Sequence, residues 1–201
     1  MLAFIRFAMR RLLPAGFLGV LLSGTTPAMA GVISFDTWLE FAFTDVGTAA
    51  TGCDPADPAG PFCIPSFGTP STFLDAPAWT FTAGAGGASL TVVDAFLSGD
   101  RFEIFDSGVS LGLTSAPTEG LDCGDDPVVC LATSGMSQFV FALAAGSHSL
   151  TIIPTASEGF GASYLFVSGT PGTTPVPEPA AWMLFALGAA GLGLWRFRRR
   201  T

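Results

Sequence analysis

Between residues 31 and 170 apolar side chains recur at every second position, the spacing of a half-buried β-strand. Phe35, Leu39, Phe41 and Phe43 share one parity, with Asp36 and Glu40 on the other. Trp79 and Phe81 alternate with Thr80 and Thr82. Leu90, Val92 and Phe96 line one face, which Asp94 interrupts. Further runs fall at 101–105, 109–113, 139–143, 150–153 and 164–167, separated by Gly, Pro, Ser and Asp clusters. Asp106-Ser107-Gly108 predicts a hairpin turn, and Gly84-Ala85-Gly86-Gly87 a second turn. No Gly-Lys-Ser/Thr follows those glycines, which excludes a phosphate loop. No helical period with caps is visible inside this body. The pattern predicts about eight or nine short strands in an all-β body, a two-sheet β-sandwich of jelly-roll type.

The pattern changes at both ends. Arg6, Arg10 and Arg11 precede an apolar run at 12–22, and Ala28-Met29-Ala30 has small-x-small spacing. Residues 1–30 therefore read as a signal peptide, with Gly31 as the new N-terminus. At the other end, residues 171–179 form a proline-rich linker containing Val176, Pro177, Glu178 and Pro179. Residues 180–195 follow without a charge, and 196–201 is a basic tail bearing Arg196, Arg198, Arg199 and Arg200. As a helix the apolar run would be about 24 Å long. Trp182, Trp195 and snorkelling arginines would let it serve as a transmembrane helix. The arginines would stay cytoplasmic and the body would stand outside.

This C-terminal arrangement resembles the PEP-CTERM sorting signal of Gram-negative bacteria: a Val-Pro-Glu-Pro motif, one hydrophobic helix and an arginine-rich end. The resemblance implies an exosortase substrate. Such a precursor is exported across the inner membrane, anchored there, and processed near the motif. The body then passes to the cell surface, the medium or an exopolysaccharide matrix. Exosortase and the export machinery are the implied partners, and Val176, Pro177, Glu178 and Pro179 the implied recognition residues. Two prolines also keep the segment extended for an enzyme to grip. The stretch 90–108 resembles a segment found in exported PEP-CTERM proteins and some other secreted β proteins. That likeness implies a shared sandwich and no particular chemistry.

Charge and cysteines fit an exported body. Fifteen of the sixteen acids lie in residues 31–175, where Arg101 is the sole Lys or Arg, so nucleic acid is excluded as a partner. Cys53 and Cys63 are ten residues apart, and Cys123 and Cys130 seven apart, in Asp/Pro/Gly-rich loops. Local pairing into two disulfides is the simplest of the three connectivities, with cross-pairing and free thiols as alternatives. A zinc site would want tighter spacing and a histidine nearby, and the chain has one histidine, His148.

Candidate chemistry is sparse. No cofactor is required. Asp94, Asp100, Glu103 and Asp106 surround one turn and one strand pair, a set of oxygens suited to a structural calcium, and Asp122, Asp125 and Asp126 crowd one loop. Alternatively these acids are solvated turn formers. Asp94 on an apolar face could be neutralised by Arg101. Ser147-His148-Ser149 lacks a nucleophile elbow. Trp38, Trp79 and Tyr164 are the residues that could stack on sugars. The expectation is a non-enzymatic cell-surface or matrix protein, associated with exopolysaccharide. A carbohydrate-binding module and a secreted hydrolase are the alternatives.

Overall fold

The structure, a computed structural model, describes residues 31–157 and 159–173. The signal peptide, the sorting motif, the transmembrane helix and the basic tail expected at 1–30 and 174–201 lie outside the described residues. Among the described residues, no helix is long and apolar enough to cross a membrane.

The elements are β1 (Trp38–Phe43), β2 (Ser71–Phe73), β3 (Trp79–Asp94), β4 (Arg101–Asp106), β5 (Val109–Leu113), α1 (Pro127–Ala132), β6 (Gln138–Leu143), β7 (Gly146–Ala156) and β8 (Gly161–Pro171). The body is all-β as the alternation required, but its eight strands form one hydrogen-bonded sheet and not two. The order is β2-β1-β8-β3-β7-β4-β5, with β6 paired to β3. The β6–β7 stretch runs antiparallel along one side of β3: β6 pairs with Ala88 to Val93 and β7 with Trp79 to Ala83. Beyond Leu150, β7 pairs with β4.

Three strands separate β1 from β4, about 19 Å in a flat sheet at ~4.8 Å per strand. Yet the Phe102 ring of β4 lies 5.5 Å from Phe41 and 5.1 Å from Phe43 of β1. The sheet therefore folds over so that its two ends face each other. The main core fills the space between, from Leu39, Phe41 and Phe43 on one side to Phe102, Ile104 and Ile152 on the other. Backbone bonds from Gly47 N to Pro154 O (2.9 Å) and Ala50 N to Ile152 O (2.8 Å) tie the loop after β1 to β7.

The glycine run at 84–87 is not a turn. β3 passes straight through it, with a register shift against β8 between Ala83 and Ala88. Gly87 has φ +75°, and a Cβ there would sit 2.3 Å from Leu143 O, so glycine lets the partner backbone close in. The Ser107-Gly108 turn forms as expected, with φ +50° and +80°, the pair of positive values that a two-residue I′ hairpin needs.

A short helix interrupts the strands where the alternation predicts none. Asp126 caps α1 by accepting from Val128 N (2.9 Å) and Val129 N (3.4 Å), and Pro127 opens the helix, a signal present in Asp-Asp-Pro. The two disulfides are the local ones, Cys53–Cys63 and Cys123–Cys130. They lie in two loops that cover the outer face of β1, β8 and β3, against Ala42 and against Val93 and Tyr164 respectively. All six residues of β1 are consequently buried.

Candidate functional site

The four carboxylates expected around one calcium do not converge. Asp94 ends β3 pointing into the main core side, fully buried, and accepts from Ala95 N (2.9 Å), Ser163 Oγ (3.2 Å) and Asp100 N (3.3 Å). Asp100 is therefore its neighbour through the backbone. Glu103 instead accepts from Ser110 Oγ (2.6 Å) across the β4–β5 hairpin. Asp106 closes the far end of β4, about 16 Å from Arg101 at ~3.3 Å per residue. Arg101 does not pair with Asp94: its Nε donates to Thr114 O at 2.9 Å. The burial of Asp94, and then the charge of Asp100, raise its pKa to about 7 against the pull of its three donors. Two acids at 122–126 are engaged with backbone donors: Asp122 Oδ1 accepts from Gly124 N at 2.9 Å, and Asp126 caps α1 while its Oδ2 accepts from Thr69 N at 3.0 Å.

His148 is occupied on both ring nitrogens. Nδ1 meets Asp106 Oδ2 at 2.7 Å and Nε2 meets Ala144 O at 3.0 Å, while the ring stacks on Phe81 at 4.9 Å. Both partners are oxygen atoms that accept hydrogen bonds. Neither nitrogen is left to take a proton from Ser147 or Ser149. Asp106 also accepts from Ser149 N at 3.0 Å. Burial would raise its pKa, but these bonds and the His148 charge lower it overall.

Trp38, Trp79 and Tyr164 are buried, so the aromatic strip proposed for sugars is core. Tyr164 OH donates to Asp125 O at 2.7 Å. Its pKa is raised, by burial first and then by Glu40 and Asp125. The most exposed rings are phenylalanines in loops, Phe62 at 78%, Phe67 at 93% and Phe160 at 86%, and Phe139 of β6 is exposed as well.

Alternation places Glu40 on a polar face, and the structure overturns that placement. The disulfide loops cover this face, so Glu40 is 0% exposed. Neither of its carboxylate oxygens has a hydrogen-bond partner. Desolvation raises its pKa to about 7; the nearby Ser71 hydroxyl pulls downward without completing a bond, and Asp125 adds to the rise. A Glu40 oxygen and the sulfurs of Cys53 and Cys63 lie within 4.8 Å of one another. With both sulfurs bonded to each other, the trio offers a metal no thiolate.

β8 ends at Pro171, five residues before the expected motif begins at Val176. A family model for the PEP-CTERM protein-sorting motif matches residues 175–200. The chain carries a PEP-CTERM sorting signal. No curated protein and no solved structure matches the chain. The PEP-CTERM motif marks an exported protein, sorted through a membrane-anchored signal and processed by exosortase. Val176, Pro177, Glu178 and Pro179 and the arginines at 196, 198, 199 and 200 all fall within the matched span.

Proposed function

We propose that this chain is a non-enzymatic display protein of the Gram-negative cell surface or exopolysaccharide matrix, delivered by its PEP-CTERM signal. The observation that carries this reading is the match at residues 175–200, set only a few residues beyond the last strand. The signal peptide at 1–30 and the apolar run at 180–195 would give the precursor two membrane addresses with one topology. The two disulfides, which suit an oxidising compartment, support the same location. Fractionation of cells expressing the full chain tests it. The unaltered chain should reach the surface or medium in shortened form. Glu178→Ala, or loss of exosortase, should leave full-length chain in the membrane fraction. Identical fractionation of all three would refute exosortase delivery.

One observation favours carbohydrate binding as the second reading. A groove of about 860 Å³ lies where β3 and β7 begin, with Ser34, Thr80, Thr82, Ser147 and Asp36 beside half-buried Phe35. Hydroxyls and a carboxylate beside an aromatic ring suit sugar hydroxyls and a sugar face. Calorimetric titration of the full chain with bacterial exopolysaccharides should give micromolar binding that Asp36→Ala weakens about tenfold. Absence of heat would remove this reading and leave display intact.

A further inference from the structure

The Cys53–Cys63 bridge has surroundings that a purely structural cross-link does not require. Cys63 lines an apolar cavity of about 490 Å³, together with Phe62, Ile64, Phe96, Leu97 and Phe160. Behind the bridge stands Glu40, fully buried, its carboxylate oxygens without a hydrogen-bond partner. One of those oxygens lies within 4.8 Å of both sulfurs. Cys53 is itself 0% exposed, with its sulfur 3.8 Å from the Glu40 carbonyl oxygen. A cysteine leaving into such an apolar site as a bare thiolate would be an unpaired buried anion. The adjacent carboxyl can take that charge off the sulfur by giving up its proton, which leaves the negative charge on the Glu40 carboxylate.

We propose that Cys53–Cys63 is a thiol–disulfide exchange site, with Glu40 as its internal proton donor and the cavity as the seat for a cysteine flanked by apolar residues. The incoming thiolate attacks Cys63 Sγ. The S–S bond breaks and its electron pair passes to Cys53 Sγ, which takes the Glu40 proton. The products are a mixed disulfide on Cys63, a Cys53 thiol and a Glu40 carboxylate. A second thiolate then attacks the peptide sulfur of the mixed disulfide. It leaves as the peptide disulfide, and Cys63 departs as a thiolate that is protonated from solvent. Two thiols are oxidised and one protein disulfide is reduced. The apolar lining selects the flanks of the thiol, and the acid-rich body disfavours an anionic thiol such as glutathione. A Glu40 pKa near 7 keeps the proton available in mildly acidic to neutral surroundings.

The test is reduction of the purified full chain by a Phe-Cys-Leu peptide. Samples are quenched by alkylation and each bridge is followed by mass spectrometry, across about pH 5.5 to 8. Rates are divided by the thiolate fraction of the peptide. Exposure alone favours reduction of the other bridge, since Cys123 is 8% exposed against 3% for Cys63. The proposal expects the reverse, with Cys53–Cys63 ahead by about tenfold and its corrected rate falling above pH ~7. Glu40→Gln keeps the shape of the neutral acid; it should slow that bridge about tenfold below pH ~7 and leave Cys123–Cys130 unchanged. Ile64→Ser with Phe160→Ser, both outside the buried core, should abolish the preference for the apolar peptide over glutathione. Equal rates for the two bridges, or wild-type and Glu40→Gln profiles that superpose, overturn it. Should Glu40→Gln fail to fold, the wild-type order of reduction and the cavity variant still decide.

Discussion

As the pH rises from about 5 to about 8, the protein is expected to lose on the order of 5 kcal/mol of folding stability. Two buried carboxyls cause this. Desolvation raises Glu40 from 4.5 to about 7, and raises Asp94, with help from Asp100, from 3.8 to about 7. Between the unfolded and folded values, the native state holds protons that the unfolded chain has released. Their stabilising contribution is complete below pH ~4 and is lost as the pH climbs through ~7. A tenfold difference in proton affinity between folded and unfolded chain is worth about 1.4 kcal/mol, so each group contributes on the order of 3 kcal/mol. Asp106 acts with the opposite sign: its pKa is lowered in the folded state, so its contribution is lost as the solution is acidified. The stability maximum should therefore lie in mildly acidic solution. Thermal melts across the range would show it, and Glu40→Gln should remove about half of the alkaline loss. A melting temperature that is flat from pH 5 to 8, or that rises, would show that neither carboxyl is buried as described.

Phe102→Ala should cost about 4 kcal/mol. Phe102 is fully buried and touches both Phe41 and Phe43 across the fold of the sheet. Truncation removes a ring from the place where the sheet's two ends meet, and β-strands cannot readily collapse into the void. Phe105, on the same strand but only half-buried, is the control and should cost about 1 kcal/mol or less. Urea unfolding of both variants makes the comparison. Equal losses would mean that β1 and β4 are not opposed.

Much of this architecture was legible along the chain. The period-two alternation marked most strands, Ser107-Gly108 marked the hairpin, and the short spacings marked the disulfides. Asp126-Pro127 carried a helix-start signal that strand-rich surroundings obscured. The long β3 was harder to see, because Gly84 to Gly87 is compatible with a turn. Only the closeness of Leu143 O shows that Gly87 serves backbone approach instead.

The candidate sites were less legible. Asp94, Asp100, Glu103 and Asp106 are close in sequence, but a strand carries six residues over about 16 Å and turns alternate side chains to opposite faces. Glu40 occupied a polar position that marks solvent only when one face of the strand is open. Trp38 and Tyr164 were sugar candidates only while that face was taken as free.

The sequence by itself determined the all-β character and the sorting address at residues 175–200, and it made local pairing the simplest of the three cysteine connectivities. Each of these depends on residue type and near-neighbour spacing. Tertiary structure alone decided that one sheet folds over on itself and that two loops cover its outer face. It also set Glu40 beside the Cys53–Cys63 bridge, of which Cys63 lines an apolar cavity. Those features depend on contacts between distant segments, and burial by a distant loop leaves no trace in the local alternation of a strand.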